Sequence, residues 1–187
     1  MARRNEDSAR DYSKDLRAIG CALEALRVEA FELRCEAANY VVRVESQRGE
    51  KRKLKDIFEA LALQVLQGIF PGRNPRKGLE LIYTTEHIKR LNENGQLRRQ
   101  DRGKPDAHSL PQALRAIGAY VELKGARLLK ISRQGTVITI RYETALDGCT
   151  NEEFTPSSVY ALFVRRYVKR TDRYPTSAGV EDTGNGH

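Results

Sequence analysis

The sequence predicts an α+β protein of two layers, in which an internally duplicated helix–hairpin–helix unit forms one antiparallel sheet covered by helices on one side. Three observations predict it. The pentapeptide LRAIG occurs twice, at residues 16–20 and 114–118. A chance match of that length is expected in about one chain in a hundred. The match also extends without a gap, residues 16–46 onto 114–144, with Leu23 meeting Val121, Leu33 meeting Ile131, Val42 meeting Ile140, Arg43 meeting Arg141 and Glu45 meeting Glu143. Finally, the apolar period changes from helical to strand-like at the same column of both copies.

Taken in chain order, Tyr12, Leu16, Ile19, Leu23 and Leu26 step by four and three, so they share one stripe of a helix that starts at an Asp11 cap. Phe31, Leu33 and Cys35, then Tyr40, Val42 and Val44, alternate with polar residues as the two strands of a hairpin with one buried face. Residues 54–70 are apolar around more than half their circumference and predict a helix buried on two sides. The stretch LELIYT reads as a fifth strand at a sheet edge, followed by a short helix capped by Thr84 and stopped at Gly95.

Copy two repeats the order. Ser109, with Gln112 three residues on, predicts a capping box ahead of the stripe Leu110, Leu114, Ile117 and Val121. Leu129 and Ile131, then Ile138, Ile140 and Tyr142, form the second hairpin around Gly135. A last helix opens with Thr155 as cap and Pro156 at its first position. A lone hairpin is marginal in water, so the two hairpins are expected to join in one sheet.

The domain assignment follows. Residues 10–171 form a single α+β domain: copy one over 10–70, a basic connection with the extra strand and short helix over 71–108, and copy two over 109–171. The polar ends, 1–9 and 172–187, are expected to be disordered. At 187 residues and 40% hydrophobic content the chain can bury one sizeable core. No apolar run approaches the ~18 residues of a membrane span, no secretory leader is visible, and three unevenly spaced cysteines make no disulfide framework or zinc site. A cytoplasmic location is the expectation.

Charge is unevenly distributed. The formal net charge is +8. Residues 1–46 carry eight basic and nine acidic side chains and residues 105–187 eleven and nine, whereas residues 47–104 carry fourteen and seven. Three clusters make up the excess. Lys51, Arg52, Lys53 and Lys55 stand at the start of the predicted buried helix, where cations oppose the positive end of the helix dipole. Copy two has Glu152, Glu153 and the Thr155 cap there instead. Such an end offers free N–H groups and ammonium groups to an anion, although the long side chains can equally be solvated. Arg73, Arg76 and Lys77 lie in the turn PGRNPRKG, which lacks the lysine–serine/threonine ending of a P-loop. Arg98, Arg99, Arg102 and Lys104 follow the short helix. A fourth group, Arg165, Arg166, Lys169 and Arg170, suits a helix C-terminus on structural grounds alone.

Catalytic signatures are absent from the sequence. His87, His108 and His187 have no partner at metal-ligand spacing, and Cys149, placed by its neighbours in a loop, would need His87 or His108 brought to it by the fold. Glu24 and Glu122 recur at one column but flank amphipathic helices, where a carboxylate is ordinarily solvated. No cofactor is implied. The expected function is therefore that of a non-enzymatic binding protein whose eleven clustered cations contact a polyanion, nucleic acid above all, through phosphates. The outward strand positions hold no aromatic residue for stacking bases. The alternative is an assembly subunit that docks an acidic protein partner or a second copy along the LELIYT edge. Oligomeric state, and the choice between DNA and RNA, leave no signal in the sequence.

Overall fold

Alternating burial along the strands and a helical stripe above them define two layers. The computed structural model describes residues 10–28, 30–37, 39–44, 72–74, 80–93 and 106–171, with backbone alone at 72–74 and 165–171. The elements are α1 (Tyr12–Ala25), β1 (Phe31–Glu36), β2 (Asn39–Val44), β3 (Gly72–Asn74), β4 (Glu80–Thr84), α2 (Thr85–Glu93), α3 (Leu110–Leu123), β5 (Arg127–Gln134), β6 (Val137–Thr144), β7 (Gly148–Phe154) and α4 (Pro156–Thr171). The predicted helix over 54–70 and both chain ends lie outside the described residues.

The protein is α+β with an open antiparallel sheet. Among the described residues its strand order is β3-β4-β2-β1-β5-β6-β7. The centre is the β1–β5 pair, in which Leu33 faces Ile131. Each of these residues also faces the second strand of its own hairpin: Leu33 opposes Val42, and Ile131 opposes Ile140. The displacement in sequence that carries Leu33 to Ile131 thus carries Val42 to Ile140. Phe31, Leu33, Tyr40, Val42, Ile131 and Ile140 are buried on one face, where they meet Leu16, Ile19 and Leu23 of α1 and Leu114, Ile117 and Val121 of α3 in one core. The stripes and strands read from the sequence are these.

The glycine of each LRAIG marks where the helices touch. A Cβ on Gly20 would stand 2.8 Å from Pro111 Cα, and one on Gly118 would stand 2.6 Å from the Tyr12 carbonyl oxygen and 2.8 Å from the Ser13 amide nitrogen. Each glycine therefore receives the first turn of the other helix against its backbone. The helices end alike as well. Val28 N–H bonds Leu23 O and Arg27 N–H bonds Glu24 O, while Ala126 N–H bonds Val121 O and Gly125 N–H bonds Glu122 O. Both are Schellman ends, with the left-handed residue Gly125 (φ 60°) in one and Arg27 (φ 53°) in the other.

Five local expectations need correction. Residues 148–154, expected as a loop leading into a helix, form strand β7 on β6. Its pattern was hidden because an acid, Glu152, occupies an inward position and only Phe154 is buried. Glu152 and Glu153 accordingly do not belong to the α4 start, which Thr155 caps through its Oγ1, 3.4 Å from Ser158 N. LELIYT is a strand but not an open edge, since β3 pairs with Glu80, Leu81 and Ile82; Arg73, expected in a turn, is the middle residue of β3. The capping box does not form: Ser109 caps α3 without a side-chain hydrogen bond, and Gln112 Oε1 accepts instead from Asp106 N at 2.9 Å. A bulge between Leu128 and Lys130 turns Leu128 inward in place of Leu129. The remaining caps are as read: Asp11 accepts from Lys14 N, and Thr84 Oγ1 from His87 N. None of the described helices is long and apolar enough to cross a membrane.

Two substitutions test these contacts. Gly118→Ala should destabilise the fold by about 1–3 kcal/mol through overpacking, despite the ~1 kcal/mol by which alanine favours a helix. Arg27→Gly should stabilise it by about 1 kcal/mol, because glycine adopts the left-handed conformation without a Cβ clash. Urea denaturation of both variants gives the signs; an unchanged midpoint for Gly118→Ala would mean that the helices are not in backbone contact.

Candidate functional site

The face of the sheet opposite the core carries the charges. Strand register places Arg34 of β1 opposite Lys130 of β5, and Lys130 opposite Arg141 of β6. Two residues along β1 on the same face, Glu32 receives Lys130 Nζ at 2.6 Å and Arg34 Nη2 at 2.7 Å. The Glu32 side chain is only 15% exposed. The Lys130 ammonium above all, with Arg34, holds this carboxyl below the usual glutamate range. Ser132 and Thr139 face each other in the neighbouring row. Arg43 and Arg141, matched residues of the two hairpins, are both exposed on this face, as the sequence predicts.

A second set of polar groups gathers at the end of the helix pair, where the start of α1 meets the end of α3. Glu122 Oε1 accepts from Ser13 N at 2.7 Å and so caps a helix that is not its own. This is a specific role where the sequence implied a solvated carboxylate. The matched position to Ser13 is Pro111, which has no N–H to donate, so Glu24 has no equivalent bond to make there. Beside it, Tyr120 OH donates to both Glu152 oxygens at 2.8 Å, and Tyr142 OH donates to Oε2 at 3.1 Å. Lys124 Nζ donates to Tyr142 OH at 2.7 Å and lies 4.7 Å above the Tyr120 ring. Burial and the Glu152 carboxylate raise the Tyr120 phenol to about 12, and hydrogen bonds to the two tyrosines raise Lys124. These groups stay neutral phenol and charged ammonium across physiological pH. On α1, Tyr40 OH donates to Asp15 Oδ2 at 2.8 Å, and Asp15 is raised by burial.

The clustered cations expected to bind a polyanion are distributed as follows. Lys51, Arg52, Lys53, Lys55, Arg76, Lys77, Arg98, Arg99, Arg102 and Lys104 lie outside the described residues, and Arg73 is placed by its backbone alone, opposite Leu81. In sequence Arg76 and Lys77 connect Asn74 to Glu80, which are themselves paired. The cations of the open face, Arg34, Lys130 and Arg141, were missed as a group: nothing in the sequence aligns them until β1 is known to pair with β5.

Cys149, expected in a loop, is exposed in β7 opposite Glu143. His108 lies beside Ile138 and Pro156, and Ile138 pairs with Phe154 at the other end of β7. At ~3.4 Å per residue that is about 17 Å from Cys149. His87 is bonded to Thr84 Oγ1 at 3.0 Å, five strands away. The half-buried Cys35 thiol is raised to about 12 by desolvation and is inert at neutral pH. Among the described residues no three His, Cys, Asp or Glu side chains are placed to hold a metal ion. The hollow by His108, Arg133 and Pro156 has a volume of about 20 Å³, room for a water molecule and not for a small ligand. No family model, curated protein or solved structure matches the chain.

The Glu32 pairing sets a pH dependence. Because the folded-state pKa is lowered, its stabilisation is present above the ordinary glutamate range and is lost as pH falls through the folded value. Unfolding free energy measured between about pH 6 and pH 2 should therefore fall less steeply in Glu32→Gln than in the wild type. Parallel curves would show that the two ion pairs contribute nothing.

Proposed function

We propose that this chain is a non-enzymatic, cytoplasmic binding protein that presents its basic middle segment to the phosphates of a nucleic acid. The observation that carries this reading is where the charge falls. The segment 47–104 has fourteen basic side chains against seven acidic, while the parts before and after it are close to balance. A surplus serving solubility alone would be spread over the surface. The same segment is tied to the sheet through β3 and β4 beside β2, and through Ile88 of α2, which is buried in the core. The described outward positions of the strands carry no aromatic residue, which favours contact with phosphates over stacking on bases.

We further propose that the scaffold arose by duplication of a helix–hairpin unit, to which β7 was added in the second copy. Its support is the gapless match together with the pairing of Leu33 with Ile131, of Gly20 with Pro111 and of Gly118 with Ser13, all of which one displacement in sequence interrelates. The inserted segment 71–108 interrupts this repeat, as an addition carrying function to a finished scaffold would.

Anisotropy titrations with short mixed-sequence duplex DNA and duplex RNA test the reading. Wild-type affinity should fall as salt rises. The double substitution Lys51→Glu, Lys53→Glu should weaken binding and flatten the slope of log K against log salt by about one unit for each phosphate that is no longer neutralised. Its thermal stability should be unchanged or slightly higher, since acids suit the start of the helix expected there. Wild-type protein that binds neither duplex near physiological ionic strength overturns the proposal in favour of assembly with an acidic protein partner.

A further inference from the structure

The open sheet face contains a conflict that packing does not explain. Arg34, Lys130 and Arg141 stand directly opposite one another on three adjacent strands, two like-charged cross-strand pairs in succession. Such pairs destabilise a sheet. Glu32 offsets the first through its contacts with Arg34 and Lys130. Arg141 has no such relief: its other cross-strand neighbour is Asn151, and it makes no ion pair among the described residues. Its position on an exposed strand would accept a neutral residue, as Ser132 and Thr139 demonstrate in the next row.

The surroundings of the row define what it fits. Ser132, Thr139 and Asn151 set uncharged hydrogen-bonding side chains beside the cations. Glu36 and Glu143 stand two residues along β1 and β6, and Glu153 stands opposite Thr139, so acidic groups bound the cations on both sides. The favourable track is one row wide and runs across the strands. Strands lie about 4.8 Å apart, so the row spans about 10 Å, close to three phosphate-to-phosphate steps of about 3.4 Å axial rise along one strand of a duplex. Point charges flanked by hydroxyl and amide groups, with no aromatic side chain, are the chemistry of backbone contact.

We infer that the row Arg34–Lys130–Arg141 is a second phosphate-contacting surface, on which the backbone of a duplex nucleic acid lies across β1, β5 and β6. Glu32 is then a competing internal anion: it holds Lys130 and Arg34 in place in the free protein and yields them to phosphate on binding. This rests on the function proposed above and adds a surface to it, outside the segment 47–104.

The test uses the full chain and a short mixed-sequence DNA duplex over a salt series, with thermal melts confirming that each variant is folded. Arg141→Ser, which removes an exposed cation with no ion pair among the described residues, should weaken binding several-fold at low salt and flatten the log–log slope by about 0.9. Glu32→Gln should do the opposite, tightening binding and steepening the slope, because two cations gain their freedom and one negative charge is removed. If Arg141→Ser and Glu32→Gln both bind as the wild type does while Lys51→Glu, Lys53→Glu weakens binding, the inference is wrong and the function proposed above stands. If the wild type binds no duplex, that function falls and the inference with it. Binding to heparin but not to the duplex also overturns it, by reassigning the row to a sulfated polysaccharide.

Discussion

The close crossing of α1 and α3 is the constraint on which the rest of the structure depends. Helices ordinarily pack with axes 8–10 Å apart, a distance set by the side chains between them. Here a glycine on each helix meets the first turn of the other, and no Cβ would fit at either place. Four central strands at about 4.8 Å present a face some 19 Å wide. Two helices of about 10 Å diameter, laid side by side, cover that width without a gap. Spread the helices and water reaches Leu33, Val42, Ile131 and Ile140, all fully buried. The outer strands then need covers of their own: Ile88 of α2 supplies one, and Val159 of α4, with Tyr120 reaching Glu152, the other.

This arrangement sends polar groups to two places. On the covered side they collect where the helix pair leaves the sheet, at Glu122 with Ser13 and at Glu152 with its two tyrosines. There each acid receives donors, Glu152 at a half-buried position and Glu122 at an exposed one. On the open side no packing selects the side chains, and the row of cations is a choice the fold did not impose. The asymmetry at Ser13 and Pro111 is similar in kind: the geometry is shared, yet only one helix start has an amide for a carboxylate to receive.

Much of this was legible in the sequence because the apolar residues are periodic where burial is one-sided. The stripe from Leu16 to Leu23 and the alternation from Phe31 to Val44 needed no structure to read. What escaped depends on partners distant in the chain. Strand β7 is an edge whose inward Glu152 is satisfied by Tyr120 and Tyr142, so its pattern looks like a loop. The bulge at Leu128 exchanges two neighbouring leucines, which composition cannot distinguish. Gln112 stands where a capping box expects it, but bonds the preceding loop. Arg34, Lys130 and Arg141 are unrelated in sequence, and only the register of two ladders brings them into line.

The central pairings also govern how the chain acquires its structure during synthesis. β1 has β5 as a neighbour and α1 has α3, so the first half finds its principal partners only after some hundred further residues have emerged from the ribosome. Until then Phe31 and Leu33 have no second helix to shield them, and one edge of β1 is unpaired. Contacts of such long sequence separation slow folding, and a nascent hairpin with an exposed apolar face and a free edge is the species that chaperones bind and that aggregates when they do not. The interlocking that gives the finished protein a single core thus makes translation of the second half the committing step.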